Sequence, residues 1–163
     1  ITYVRQGAIS HEDSLGNKGK TRAGDVQVMS AGSGVRHSEF NDEDETTSLY
    51  QIWIKPNKLN VQPRWDAKEF PKNYVDDHLD LLVGNNENAP LFIHADATIH
   101  AGKVHANKTL THRLERSGYL LASSGSFSVN GVKLSKGDAL EIIDIKDLEI
   151  NTTEDSELLV IDV

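Results

Sequence analysis

The two residues best placed to do chemistry are His37 and Glu39, which stand two positions apart after a glycine-rich bend. The surrounding residues, Met29-Ser-Ala-Gly-Ser-Gly-Val-Arg-His-Ser-Glu-Phe-Asn41, predict a strand across the pair. Side chains at positions i and i+2 of a strand project from the same face. An imidazole nitrogen and a carboxylate oxygen would therefore point into one space, as half of a mononuclear metal site requires. Taken alone, the pair is more typical of two polar side chains closing a glycine-rich turn.

Short β-type runs separated by turn residues dominate the chain, and no segment has a long 3.6-residue period. The Asn130-Gly131 pair between two such runs predicts a two-residue hairpin. We therefore predict an all-β protein. The predicted strands are Ile1–Val4, Ala8–Glu12, Val26–Ser30, Leu49–Ile54, Leu79–Val83, Leu91–His94, Tyr119–Ala122, Ser126–Val129, Ala139–Ile143, Leu148–Asn151 and Leu158–Asp162.

One order of elements occurs twice: a strand, a glycine, a hairpin, a Gly-Asp pair and another strand. The glycine and the Gly-Asp pair are Gly7 and Gly24-Asp25 in the first copy, and Gly125 and Gly137-Asp138 in the second. This repetition predicts two related β-barrels or sandwiches in tandem. The proline-containing stretch Pro56–Pro71 between them is interpreted as a connector that crosses the surface.

Composition excludes several classes of function. The 163 residues include 25 acidic and 17 basic ones, and the resulting formal charge of −8 disfavours nucleic acid or an anionic membrane as a direct partner. No cysteine is present, which excludes disulfides, thiolate metal sites and thiol catalysis, and fits a reducing compartment. No apolar stretch approaches the roughly 20 residues that span a bilayer. We expect a cytoplasmic protein.

The first half resembles the pirin family of two-domain cupins, especially its bacterial members. The resemblance depends on two stretches, Gly24-Asp-Val-Gln-Val-Met-Ser-Ala-Gly-Ser-Gly-Val-Arg-His-Ser-Glu39 and Leu49-Tyr-Gln-Ile-Trp-Ile54. It is supported by Tyr3-Val-Arg-Gln-Gly7 and His11-Glu-Asp-Ser-Leu-Gly-Asn17. The family implies a bicupin fold: part of a metal-type cupin in residues 1–55, the connector in 56–76 and a degenerate cupin in 77–163.

Pirins hold one iron ion with three histidines and one glutamate, and the resemblance assigns two of these ligands to His37 and Glu39. The other two come from a His-x-His element, which counting back from Gly7 places before Ile1. The chain is thus expected to carry half of the Fe(II) shell and a first cupin that is truncated at its N-terminus. Open strand edges of that kind favour pairing with another chain, so a homo-oligomer is expected.

The remaining histidines are not predicted to bind metal. His11, with Asp13, is interpreted as part of a solvated polar strand end, and His78 as part of an exposed acidic segment. His94, His100 and His105 are assigned to the second unit or its lead-in and match no ligand pattern.

The second unit can be tested by the same spacing. Counting from Gly125 and Gly137 gives the four positions of this unit that correspond to the metal ligands of the first. Three of the four residues found there are not metal ligands. We therefore expect a metal-free second cupin in which His112 is an isolated residue. The counted positions are His112, Leu114, Ile150 and Thr152, with Gly118 in place of the family acid.

Family membership implies an oxidoreductase that cleaves flavonols such as quercetin with dioxygen. In such a reaction the metal polarises the substrate 3-hydroxyl group, Glu39 is the candidate catalytic base and His37 is a plain ligand. Core packing is the preferred role for Met29, Phe40 and Trp53. The alternative is a non-enzymatic regulatory pirin that acts on transcription or metabolic enzymes through protein contacts.

Overall fold

The computed structural model describes residues 1–163 and contains seventeen β-strands and no helix, so the predicted all-β class is confirmed. No helix long and apolar enough to cross a membrane is present. The strands are β1 (Thr2–Gln6), β2 (Ala8–Asp13), β3 (Lys18–Arg22), β4 (Val26–Ser30), β5 (His37–Phe40), β6 (Ser48–Gln51), β7 (Arg64–Lys68), β8 (Asp80–Gly84), β9 (Leu91–Phe92), β10 (Thr98–Val104), β11 (Thr109–Arg113), β12 (Gly118–Ser124), β13 (Ser126–Val129), β14 (Val132–Ser135), β15 (Ala139–Ile142), β16 (Asp147–Thr152) and β17 (Ser156–Asp162).

The chain forms two compact units, and each is assembled from two segments. Unit 1 consists of Ile1–Pro71 and Val83–Asp96, and unit 2 of Lys72–Leu82 and Ala97–Val163. The expected boundaries, 1–55, 56–76 and 77–163, therefore differ from the observed ones.

The stretch predicted to be a surface connector, Pro56–Pro71, contains a strand. It contains β7, which pairs antiparallel with β4 and places Trp65 opposite Met29. The prediction was wrong here because the prolines at 63 and 71 flank this strand and do not interrupt it.

Unit 1 contains a sheet of strand order β6-β1-β4-β7 and a three-stranded sheet of order β3-β2-β5. Alternating strand residues supply its core, which includes the fully buried side chains of Val4, Val26 and Val28.

Unit 2 contains a sheet of order β11-β16-β13-β14 and strands in the order β15-β12-β17-β10. Its core is a continuous apolar cluster that includes Leu114, Leu120, Phe127, Ile150 and Leu158. In a β protein without disulfides, burial of apolar side chains such as these supplies the main free energy of folding.

The internal repeat is confirmed by matching strand pairs in the two units. The pairs β1–β4, β1–β6, β2–β3 and β2–β5 correspond to β12–β15, β12–β17, β13–β14 and β13–β16. The turn glycines also match, since Gly7 and Gly125 have φ angles of 68° and 74°, and Gly24 and Gly137 have φ angles of 81° and 95°. Such left-handed backbone favours glycine, which explains why these residues punctuate both copies.

The predicted hairpin is also confirmed. Asn130 and Gly131 have φ angles of 47° and 84° and connect β13 to β14. Positive φ at both central residues is the requirement of a type I′ turn.

The two units differ at the edges of their sheets. In unit 2, β16 and β17 each pair with a further strand, β11 and β10 respectively. In unit 1, the corresponding strands β5 and β6 are the last strands of their sheets. The edge strand β5 carries His37 and Glu39.

Candidate functional site

His37 and Glu39 lie on β5 and line the same cavity in unit 1, as the two-residue spacing predicted. Strand β2 holds β5 in register, with Asp13 opposite His37 and His11 opposite Glu39. The His37 side chain is exposed, whereas Glu39 is half-buried. One imidazole and one carboxylate are thus presented together to the cavity.

Gln27 on β4 fixes the position of the Glu39 carboxylate. Its amide nitrogen donates to Glu39 Oε1 and, at 3.4 Å, to the Thr2 hydroxyl. Its amide oxygen accepts hydrogen bonds from Thr21 Oγ1 at 3.1 Å and Trp65 Nε1 at 3.3 Å. Because both ends of the buried amide have partners, it has one orientation and directs its N–H group at Glu39. No sequence motif indicated this residue.

His11 is not the solvated residue that the sequence predicted. It is 1% exposed, and its ring is stacked between Trp65 and His37, with centroid distances of 4.8 and 5.6 Å. The prediction failed because β2 is the central strand of its sheet, so that a polar residue on its inner face becomes covered.

The two nitrogens of His11 face two carboxylates. Nε2 lies 3.1 Å from Asp13 Oδ2, and Nδ1 has no hydrogen-bond partner but lies 3.9 Å from Glu39 Oε1. Desolvation opposes ionisation of Asp13, yet hydrogen bonds from Asn17, His11 and nearby backbone N–H groups together lower its pKa to about 2. Asp13 is therefore a charged anchor for the His11 ring.

Trp65 reaches His11 because Gly19 on β3 leaves room for the indole. A methyl group at Gly19 would overlap the ring of Trp65. No role for this tryptophan was predicted, because it lies in the stretch that was expected to be a connector.

The cavity beside His37 and Glu39 has a volume of about 560 Å³, which is the size of a small-molecule site. His94 lines it, although the sequence assigned this residue to the second unit or its lead-in. Met29 is half-buried and contributes to the lining.

Two aromatic residues that were expected in the core are exposed. Trp53 has 90% of its surface exposed and lines the cavity, and Phe40 is 41% exposed. Phe40 was mispredicted because it ends the edge strand β5, and Trp53 because the strand predicted over Leu49–Ile54 ends at Gln51 and leaves it in an irregular segment.

The residues present do not complete a metal shell. No group of three or more histidine, aspartate, glutamate or cysteine side chains is arranged to hold a metal ion. His37 and Glu39 offer two donor atoms at the cavity, whereas a catalytic zinc site, for comparison, has three protein ligands. The arrangement supports proton abstraction by Glu39 and binding of a small molecule.

Unit 2 contains a pair of histidines, so His112 is not isolated as expected. His112 on β11 and His100 on β10 make an edge contact with a centroid distance of 4.7 Å, and each has one buried ring nitrogen without a hydrogen-bond partner. Burial, and then the neighbouring His112, lower the pKa of His100 to about 4, and burial lowers the pKa of His112. Both rings are therefore neutral at pH 7.

Acidification should destabilise unit 2 through His100. The unfolded chain, with a histidine pKa near 6.5, binds the proton more readily than the native state does, so stability falls between pH 6.5 and about 4. We expect a loss of ~2 kcal/mol after allowance for partial exposure of the ring. Urea unfolding at several pH values should show a smaller loss in His100→Leu than in the wild type. An unchanged pH profile in His100→Leu would contradict this assignment.

Comparisons with known proteins agree with this architecture. The Pirin family profile matches residues 1–54, and that of the quercetinase C-terminal cupin domain matches residues 81–163. A pirin-like protein of Caulobacter vibrioides is 47% identical over 99% of this chain and 72% of its own length. The quercetin 2,3-dioxygenase of Escherichia coli K12 is 35% identical over all of this chain and 71% of its own length.

Solved structures show the same fold. Escherichia coli YhhW superposes with a TM-score of 0.91 at 34% identity, covering 99% of this chain and 70% of YhhW. A second structure of that bacterial pirin is a complex with nickel(II) and gives a TM-score of 0.90. The expected bicupin fold is confirmed, and the chain belongs to the pirin family.

Proposed function

We propose that this protein is a metal-dependent dioxygenase that cleaves flavonols such as quercetin, with Fe(II) as the working metal and His37 and Glu39 as two of its ligands. The observation that supports this most is the placement of both donors on one strand beside a cavity of about 560 Å³. The name of the Escherichia coli relative, quercetin 2,3-dioxygenase, supports the reaction class.

Residues 1–163 supply two donors, so the proposal includes further donors from outside them. The nickel(II) complex of Escherichia coli YhhW supports a metal cofactor for the family. By themselves, residues 1–163 are expected to bind metal weakly and to turn over little or no flavonol.

Within this proposal Glu39 accepts the proton of a substrate hydroxyl group. The Gln27 amide holds one carboxylate oxygen, and the side chain borders the cavity where an acidic hydroxyl would lie. A base that is positioned by a buried donor loses little freedom when substrate binds. The His37 ring stacks on His11, which in turn stacks on Trp65.

Oxygen uptake tests the proposal. The complete reading frame that contains residues 1–163 is expressed, loaded with Fe(II) without air and mixed with quercetin and dioxygen. Glu39→Gln should lower kcat/KM by at least about 100-fold. The control Glu12→Gln, whose side chain forms an exposed ion pair with Lys18, should retain activity.

Absence of turnover by the metal-loaded protein would overturn the enzyme proposal. Regulation of another protein by contact would then be the better interpretation.

A further inference from the structure

A segment without regular structure, residues 52–63, connects β6 to β7 and forms one wall of the cavity in unit 1. Its backbone is held at two points, since Asn57 N donates to His94 O at 2.8 Å and Ser33 N donates to Val61 O at 3.0 Å. The wall is therefore fixed relative to the bend that precedes β5.

The packing at that bend admits only glycine. Gly32 has a φ angle of 53°, and a methyl group there would overlap the carbonyl group of Val61. The 52–63 segment consequently lies in backbone contact with the bend that leads to His37 and Glu39.

This wall carries the two most exposed large apolar side chains of the protein. Trp53 is 90% exposed and Leu59 is 76% exposed, whereas the other large apolar side chains that are exposed range from 41% to 57%. Both residues line the cavity. The uncovered Trp53 indole offers a flat apolar face at the mouth of the cavity, on which a planar ring can stack.

The polar groups of the lining indicate what kind of molecule that would be. Lys58 is the only lysine or arginine in the lining, and Glu39 is the only carboxylate. His94, which also lines the cavity, makes an edge-to-face contact with the ring of Phe92 at a centroid distance of 4.8 Å. An ammonium group attracts an ionised hydroxyl group, and flat aromatic rings stack on an indole.

We infer that Trp53 and Lys58 determine the ligand specificity of this cavity: Trp53 stacks on a planar aromatic ligand, and Lys58 pairs with its acidic hydroxyl or phenolate oxygen. This inference rests on the proposed function, because it assigns the residues that recognise the flavonol. The binding that it describes can be measured without metal, because stacking on Trp53 and pairing with Lys58 involve only side chains of residues 1–163.

Calorimetric titration of residues 1–163 with quercetin, without metal and without air, tests the inference. Trp53→Ala should raise the Kd about tenfold, and Trp53→Phe should restore most of the affinity, because a ring remains for stacking. Lys58→Met should raise the Kd severalfold. The controls Leu15→Ala and Lys18→Met change exposed side chains outside the lining and should bind like the wild type.

The outcomes separate this inference from the proposed function. Weakened binding in Trp53→Ala, together with no oxygen uptake by the metal-loaded protein, would support the inference and reject the enzyme proposal. Wild-type affinity in Trp53→Ala would overturn the inference even if the metal-loaded protein turned over quercetin. Failure of the wild-type chain to bind quercetin would also overturn it.

Discussion

Gln27→Met is expected to lower the free energy of unfolding by about 3 kcal/mol, although the side chains have similar volume. Gln27 is 2% exposed, and its loss would leave the Thr21 hydroxyl and the Trp65 N–H group without their partner. Glu39 would also lose its amide donor. An unsatisfied buried group costs about 1–3 kcal/mol, and two of the four groups that would lose the amide, Thr2 and Thr21, are almost fully buried.

Gln51→Met is the matched control. Gln51 is exposed, and its amide oxygen accepts a hydrogen bond from Thr2 at 3.3 Å. Urea unfolding should show a loss of less than about 1 kcal/mol for this variant, because Gln51 is exposed and the Thr2 hydroxyl keeps its hydrogen bond from Gln27. Equal effects of the two substitutions would show that the Gln27 network is not what holds this part of unit 1 together.

The strands and turns of this chain were largely predictable because local rules determine them. Alternating residues predicted β4 and β13 with their observed bounds, Val26–Ser30 and Ser126–Val129. The spacing of His37 and Glu39 also predicted that they share a face, since the period of a strand fixes that relation.

The surroundings of the pair were not predictable, since they depend on which strands become neighbours. His11 was expected in solvent, and only the pairing of β2 with both β3 and β5 shows why it is buried. Trp65 lay between prolines and gave no strand signal. Gln27 belongs to no motif, and its amide acquires a role only from the four groups around it.

Loss of His37 or Glu39 is expected to remove the metal affinity of unit 1. Imidazole and carboxylate both bind divalent nickel, and two donors on one strand can bind it together. Because two protein donors leave most of the coordination to water, we expect binding of residues 1–163 to be micromolar or weaker. Each single substitution should raise the Kd at least about tenfold, since one donor alone is a poor chelate.

A suitable control is a histidine beside carboxylates outside the cavity. His78 lies 2.6 Å from Asp77 and 3.3 Å from Asp80 on an exposed segment. A surface group of this kind could bind nickel adventitiously, so His78→Ala reports any such contribution.

The decisive measurement is calorimetric titration of Ni²⁺ into the wild-type chain, His37→Ala, Glu39→Gln, the double variant and His78→Ala. The assignment of His37 and Glu39 as metal ligands predicts that both single variants and the double variant lose binding, while His78→Ala retains it. Wild-type affinity in the double variant would contradict that assignment and leave the pair as a polar couple beside a turn.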